Sequence, residues 1–284
     1  MVVRYPPSVA AASYTVAAMP IASNDGVHLY YEAQGAGDPL LLIPGFCCTV
    51  EVYHANAPAL AGCFRVISFD PRGAGRSDAP GDGYSMQAYA DDCAAVLRAE
   101  RIDSAHVLGT SFGGMVALNL TMLHPRSVRR LVLGCTTPGG AAHVLPPPEN
   151  LLTFLAASEV EDPAAATRMR YPLHYSDAYI AAHDGEIVRR SIATAHLRST
   201  AEGRNGQLAA VGTHDTYDRL PQITSPTFVA HGDEDGVVPV ENARNITARI
   251  PGAQLKIYGG AKHMYFVERA GEFNADVIAF LAGD

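Results

Sequence analysis

The sequence predicts an α/β protein with a mostly parallel central sheet flanked by helices and a helical segment inserted late in the chain. Three observations carry this. Short, nearly continuous apolar runs recur, as strands covered on both faces require. Stretches of helical periodicity, long enough to cross over between parallel strands, separate them. The alternation then stops between Cys135 and Pro226 and resumes afterwards. With 284 residues, 48% of them hydrophobic, the chain can bury one large core, or one core and a smaller lobe, and is too apolar for disorder.

Taken in order, residues 1–20 carry Arg4 and an alanine-rich patch, but prolines and Tyr14 interrupt the run before an export signal's apolar region forms. A cytoplasmic location is therefore expected. Residues 12–35 read as a hairpin turning at Asn24-Asp25-Gly26. Strands follow at 39–45, 64–70, 105–111, 128–135, 226–233 and 253–260. Between them, residues 85–100 place Tyr89, Cys93, Val96 and Leu97 at helical intervals, and 113–123 is apolar on nearly every side until Pro125 stops it. The Pro/Gly-rich stretch from Thr136 to Asn150 is a linker, followed by short helices near 150–157, 161–170, 176–182 and 185–199 without strands between them. The expected division is a core of residues 1–137 and 216–284 around a helical cap, or lid, of 138–215.

Composition excludes several classes of function. The formal charge of −8 is spread without long runs, leaving no basic stripe for nucleic acid. No window approaches the roughly 20 continuous apolar residues that cross a bilayer. Cys47, Cys48, Cys63, Cys93 and Cys135 are odd in number and lack the paired spacings of a zinc knuckle, so reduced thiols are expected. The scattered histidines His143, His174, His183, His196 and His214 form no metal motif. No metal and no cofactor is expected.

The chemistry gathers around Gly109-Thr110-Ser111-Phe112-Gly113, a G-x-S-x-G pentapeptide between a strand ending at Val107-Leu108 and a helix starting near Phe112. In that setting a tight strand-to-helix bend exposes the hydroxyl, and small residues on each side let strand and helix approach. A serine hydroxyl is a poor nucleophile near neutral pH and needs a base, which in turn needs an orienting group. His263, in the loop after the last strand, is the candidate base. Asp233 and Asp235 are candidates for the orienting acid; Asp235 lies deeper in its loop and is preferred, with Asp233 suited to holding loop amides. A developing oxyanion needs donors, and the backbone N–H groups of Phe46 and Phe112 are the candidates.

Together, "LLIPGF", "FDPRGAGRSDAP", "GTSFGG", "HGDEDGVVP" and "GGAKHM" resemble the alpha/beta-hydrolase family from about residue 20 to the end. The resemblance implies Ser111 as nucleophile, Asp235 as acid, His263 as base, and Phe46 and Phe112 as amide donors. Where the family commonly has His-Gly, this chain has Pro44-Gly45, which keeps the amide but removes a side-chain donor; Tyr53 is the candidate for an aromatic found further along. The insertion resembles the cap of the lipase-like branch containing lactonases, esterases and carbon–carbon bond hydrolases.

The glycine-rich stretch Asp70–Asp78 lacks the lysine of a nucleotide loop; Arg72 is expected to tie loops together and Asp70 to serve the turn. Adjacent Cys47 and Cys48 bridge only with strain and read as small pocket residues. Arg168 and Arg170 are either partners for a substrate carboxylate or, as preferred, surface residues. The expected activity is hydrolysis of a small to medium, partly hydrophobic ester or lactone through an acyl-enzyme. Cleavage of a diketone-like substrate, a cofactor-free perhydrolase and a non-catalytic ligand receptor are the alternatives. The expected partner is a small-molecule substrate, and the protein is expected to be a monomer or homodimer.

Overall fold

A computed structural model describes residues 20–283. The N-terminal alanine-rich segment and residues 12–19 of the expected hairpin lie outside the described residues; the rest of its first arm, Ile21–Asn24, pairs antiparallel with Val27–Tyr30 around the expected turn. From Pro20 the chain runs β1 (Ile21–Asn24), β2 (Val27–Gln34), β3 (Pro39–Ile43), α1 (Ala57–Leu60), β4 (Arg65–Phe69), α2 (Met86–Ala99), β5 (Ala105–Thr110), α3 (Phe112–Leu123) and β6 (Val128–Gly134). Four helices follow: α4 (Pro148–Glu159), α5 (Pro163–His174), α6 (Asp177–Ala193) and α7 (Ala201–Gly212). The chain ends with β7 (Thr227–Gly232), α8 (Glu241–Arg249), β8 (Gln254–Tyr258), α9 (Tyr265–Glu268) and α10 (Ala270–Ala282).

The strands form one eight-stranded sheet in the order β1-β2-β4-β3-β5-β6-β7-β8. β1 and β2 are antiparallel to their neighbours, and every pairing from β4 through β8 is parallel. β5 is buried at every position, as a strand covered by helices on both faces must be. One apolar cluster packs α2 and α3 on one face through Leu41, Val107, Leu131 and Val229; the other packs α10 and the α1 region on the opposite face through Leu42, Leu108, Val132 and Phe273. Among the described residues no helix is long and apolar enough to cross a membrane.

The loops bear out the reading of the glycine-rich stretch. Arg72 holds Asp92 with two bonds of 2.6 Å and donates to Gly83 O, while Asp70 accepts from the Val50 and Arg76 N–H groups. Both are structural.

Two helices between β6 and β7 differ from expectation. The sequence suggests a break near Gly185, but α6 runs through it, since one glycine costs a helix only about 1 kcal/mol and Ser176 caps the start by accepting from Tyr179 N. α7 lies beyond the helices the sequence predicts, since its glycines and weak periodicity give no helical pattern; Tyr84 packs on Gly206, so the bare backbone face supplies the contact that side chains usually make.

The two ends of this insertion meet. Gly139 bridges Asp215, and Thr216 donates its N–H to Pro138 O at 2.8 Å. His214 is buried at this junction, with Nε2 3.1 Å from Thr137 O and Nδ1 3.2 Å from Asn119 Nδ2. Burial pushes its pKa down from 6.5 to about 4. Between these values the unfolded chain takes up a proton that the native imidazole refuses, so stability is full above 6.5 and declines as pH falls toward 4. Thermal midpoints measured across that window should fall with acidification, and His214→Gln, although less stable at pH 8, should show a shallower slope. Parallel slopes would remove His214 as a source.

Candidate active site

The site follows from the strand order. After β3 the chain steps to β4 on one side and then returns to β5 on the other, so the loops leaving β3 and β5 diverge at the carboxyl edge and open a crevice. The first loop carries Gly45, Phe46, Cys47 and Cys48; the second carries Ser111. They touch: a Cβ on Gly45 would lie 3.5 Å from Ser111 Cβ.

Ser111 has φ 56° and ψ −121°, a conformation that costs a non-glycine residue of order 1–3 kcal/mol. Its surroundings enforce it. The Ser111 N–H donates to Gly134 O at 2.8 Å, and Ser111 O accepts from Gly114 N, Met115 N and Thr136 Oγ1. The flanking glycines are required by contact: a Cβ at Gly109 would sit 2.2 Å from Gly113 O, and one at Gly113 would sit 2.0 Å from Ile43 O. Strand and helix meet too closely for any side chain at either position.

His263 follows β8, and its Nδ1 lies 2.7 Å from Asp235 Oδ2. Asp235 is buried, and its other oxygen accepts from Val237 N and Val238 N at 2.8 and 2.9 Å. His231 of β7, absent from the sequence reading, brings Nε2 to 3.2 Å from Asp235 Oδ2 while donating to Val238 O at 2.8 Å. Burial acts to raise the Asp235 pKa, but the His263 charge and the bonds from His231 and His263 outweigh it and hold the carboxyl well below the usual range. Asp233 instead accepts from Gly260 N at 2.6 Å and ties two loops. The structure thus joins Asp235, not Asp233, to His263.

Ser111 and His263 line one cleft. Among the described residues the Ser111 hydroxyl makes no hydrogen bond to the ring, and catalytic hydrogen bonds are often incomplete in a structure without substrate. An imidazole whose Nδ1 is held by a carboxylate has Nε2 free to exchange protons in that cleft. Among the described residues, neither the Phe46 nor the Phe112 N–H donates to another protein group. The turn next to Phe46 is fixed by Cys47, at φ 54°, whose N–H donates to Gln207 Oε1 of α7 at 2.8 Å.

With this geometry described, the family model for the alpha/beta hydrolase fold matches residues 38–270. The chain belongs to the alpha/beta hydrolase family. The 2-hydroxymuconate semialdehyde hydrolase of Pseudomonas sp. (strain CF600) is 32% identical over 275 residues, covering 90% of this chain and 91% of that one. The non-heme haloperoxidase of Rhodococcus erythropolis is 27% identical, covering 92% and 98%. The solved structure of Est816, an N-acyl homoserine lactone degrading enzyme, superposes with a TM-score of 0.76 at 29% identity, covering 92% of this chain and all of its own.

In this alpha/beta hydrolase the cleft is walled on one side by the β3 and β8 loops and on the other by α4–α7. It has a lobe of about 220 Å³ containing Ser111 and His263 and an adjoining lobe of about 280 Å³ toward Tyr175 and Tyr179. Aromatic rings span it: Phe46 to Phe154 at 6.0 Å, Phe154 to His174 at 6.2 Å, and His174 to His263 at 5.8 Å between centroids. Burial, then the His263 charge, hold the His174 pKa well below its ordinary value. The carbonyls of Leu173 and His174 accept from the His263 and Met264 N–H groups, so the end of α5 steadies the histidine loop.

Tyr53 is not at the cleft as a free donor. It is fully buried, donates to Ile43 O at 2.8 Å and contacts Thr110 Oγ1 at 3.0 Å, bracing β3 against β5. Cys47 and Cys48 are free thiols, pushed up to about 12 and about 11 by burial, which suits lining rather than redox exchange. Arg168 is exposed and paired with Asp184 at 2.9 Å, as expected of a surface residue; Arg170 lines the cleft, against expectation.

Cys135, Asp235 and His263 each place one potential ligand atom within 4.8 Å of the others. Burial holds the Cys135 thiol well above its ordinary pKa, and both Asp235 oxygens are already engaged. This donor set suits a hydrogen-bonded carboxylate better than a cation.

Proposed function

We propose that this alpha/beta hydrolase cleaves a carboxylic ester or lactone through an acyl-enzyme on Ser111, with residues 138–215 acting as a cap over a core of 1–137 and 216–284. One observation carries the reading: a serine held at φ 56° on a strand-to-helix bend shares its cleft with a histidine whose Nδ1 is fixed, at 2.7 Å, by a buried carboxylate. In this mechanism His263 takes the Ser111 proton as the hydroxyl attacks the carbonyl carbon. The Phe46 and Phe112 N–H groups, uncommitted among the described residues, stabilise the oxyanion. His263 then protonates the leaving alkoxide, and the bond to it breaks. Water, deprotonated by the same imidazole, attacks the acyl carbon and releases the acid, returning the proton to Ser111. Asp235 fixes the tautomer and stabilises the imidazolium between these steps.

Est816, which degrades an N-acyl homoserine lactone, supports an acyl substrate. A second reading, carbon–carbon bond hydrolysis by the same residues, is favoured by the 32% identity to a 2-hydroxymuconate semialdehyde hydrolase. Turnover across p-nitrophenyl esters of rising acyl length, simple lactones and vinylogous diketones separates the two. The first reading expects ester or lactone cleavage to dominate in kcat/KM; a protein that cleaves only the diketones belongs to the second.

A further inference from the structure

We propose that Arg170 selects substrates carrying a carboxylate away from the scissile carbonyl, so that the natural substrate is an anionic ester or lactone; this rests on the acyl-enzyme reading above. Arg170 and His174 are one turn apart on α5 and both border the Ser111 lobe and the adjoining lobe, placing Arg170 on their shared wall. A group bound there lies beside the reacting centre but not in it.

The other arginines of this wall are already engaged. Arg204 pairs with Glu159 at 2.8 Å, Arg190 with Glu51 at 2.7 Å, and Arg198 donates to Val160 O and Glu161 O at 2.8 and 2.9 Å. Arg170 Nη2 reaches only the Ser158 hydroxyl, at 3.1 Å, and among the described residues no carboxylate pairs with this guanidinium. Apart from Arg198, whose charge is like its own, the groups lining the cleft beside it carry no charge. The Cys47 and Cys48 thiols are held protonated, His174 is held neutral, and Phe154 lies 5.8 Å beneath the guanidinium carbon.

Burial, with the Arg198 charge, lowers the Arg170 pKa from its ordinary value, yet guanidinium remains charged at any working pH. A cation withdrawn from water without a counter-ion is unfavourable, and a ligand carboxylate would relieve that with a planar, two-bonded contact. Lysine would offer charge without the fork.

The test compares mono-p-nitrophenyl adipate and suberate with the same esters capped as methyl esters at the far carboxyl. Wild-type protein should favour the free acids in kcat/KM. Arg170→Gln should lower the acid-to-methyl-ester ratio by roughly 10- to 100-fold, mainly through KM, and Arg170→Lys should recover part of it. An unchanged ratio in Arg170→Gln, or a wild-type preference for the methyl esters, overturns the proposal. Adipate itself provides an arm independent of turnover: it should raise the thermal midpoint of wild type but not of Arg170→Gln, while dimethyl adipate raises neither. If no ester is cleaved and a fluorophosphonate fails to label Ser111, the acyl-enzyme reading fails. Adipate protection lost in Arg170→Gln would still support the anion site, and its absence from wild type would overturn it.

Discussion

Ser111→Ala protein is expected to fold normally and to lose turnover by about 10⁵- to 10⁶-fold, the scale seen when a serine nucleophile is removed elsewhere. Folding should survive because the hydroxyl makes no hydrogen bond among the described residues, and the backbone bonds to Gly134 O, Gly114 N and Met115 N do not depend on the side chain. Alanine tolerates φ 56° no better than serine, so the strain is common to both proteins and cancels in the comparison. The measurement pairs activity with intact-mass analysis after fluorophosphonate treatment. Wild type should gain one adduct, and the variant none. An adduct on folded Ser111→Ala, or substantial residual turnover, would move the nucleophile elsewhere.

Asp235→Asn should lower kcat by orders of magnitude, on the scale of about 10⁴ for the corresponding acid of a serine protease. The amide fills the same space but loses charge and presents either N–H or O to His263 Nδ1. One choice donates into a nitrogen that must itself donate; the other leaves the imidazolium without a counter-charge. The bonds from Val237 N and Val238 N bias the amide to keep its oxygen toward them, turning its N–H groups toward His263 and favouring the wrong tautomer. His231 Nε2, 3.2 Å from Asp235 Oδ2, faces the position those N–H groups would take and adds to that conflict. Asp233→Asn should cost far less, because that carboxylate serves Gly260 N at the loop base. Steady-state kinetics on one ester with both variants checks the ranking, and a reversed order would assign the orienting role to Asp233.

What the sequence made legible and what it hid divide along a physical line. The bend at Ser111 was readable because sterics at Gly109 and Gly113 leave no choice of residue, and such constraints survive as a local pattern. The parallel strands were readable because burial on both faces leaves continuous apolar runs. The helices between β6 and β7 were harder, since they bury only part of a face each: α4 has Ala157 as its one buried residue. Arg168 and Arg170 illustrate the limit. Two residues apart on a helix, they must face different ways, but which way is inward depends on how α5 docks, and no local rule states that. His231 was hidden for another reason. In a fully buried strand it looked like one core position among several, and only the loop's return brings Asp235 against it.

The ties between the helical insertion and the core have a consequence for traffic. Gln207 holds the turn beside Phe46, while the end of α5 holds the backbone of His263 and Met264. A rigid swing of the whole insertion away from the sheet would break both attachments at once, so admission and reaction would exclude each other in time. Leu145, in the stretch before α4, and Leu152 of α4 belong to neither attachment and face water. Substitutions in the first half of α4 therefore need not disturb the two attachments that hold the Phe46 turn and the histidine loop.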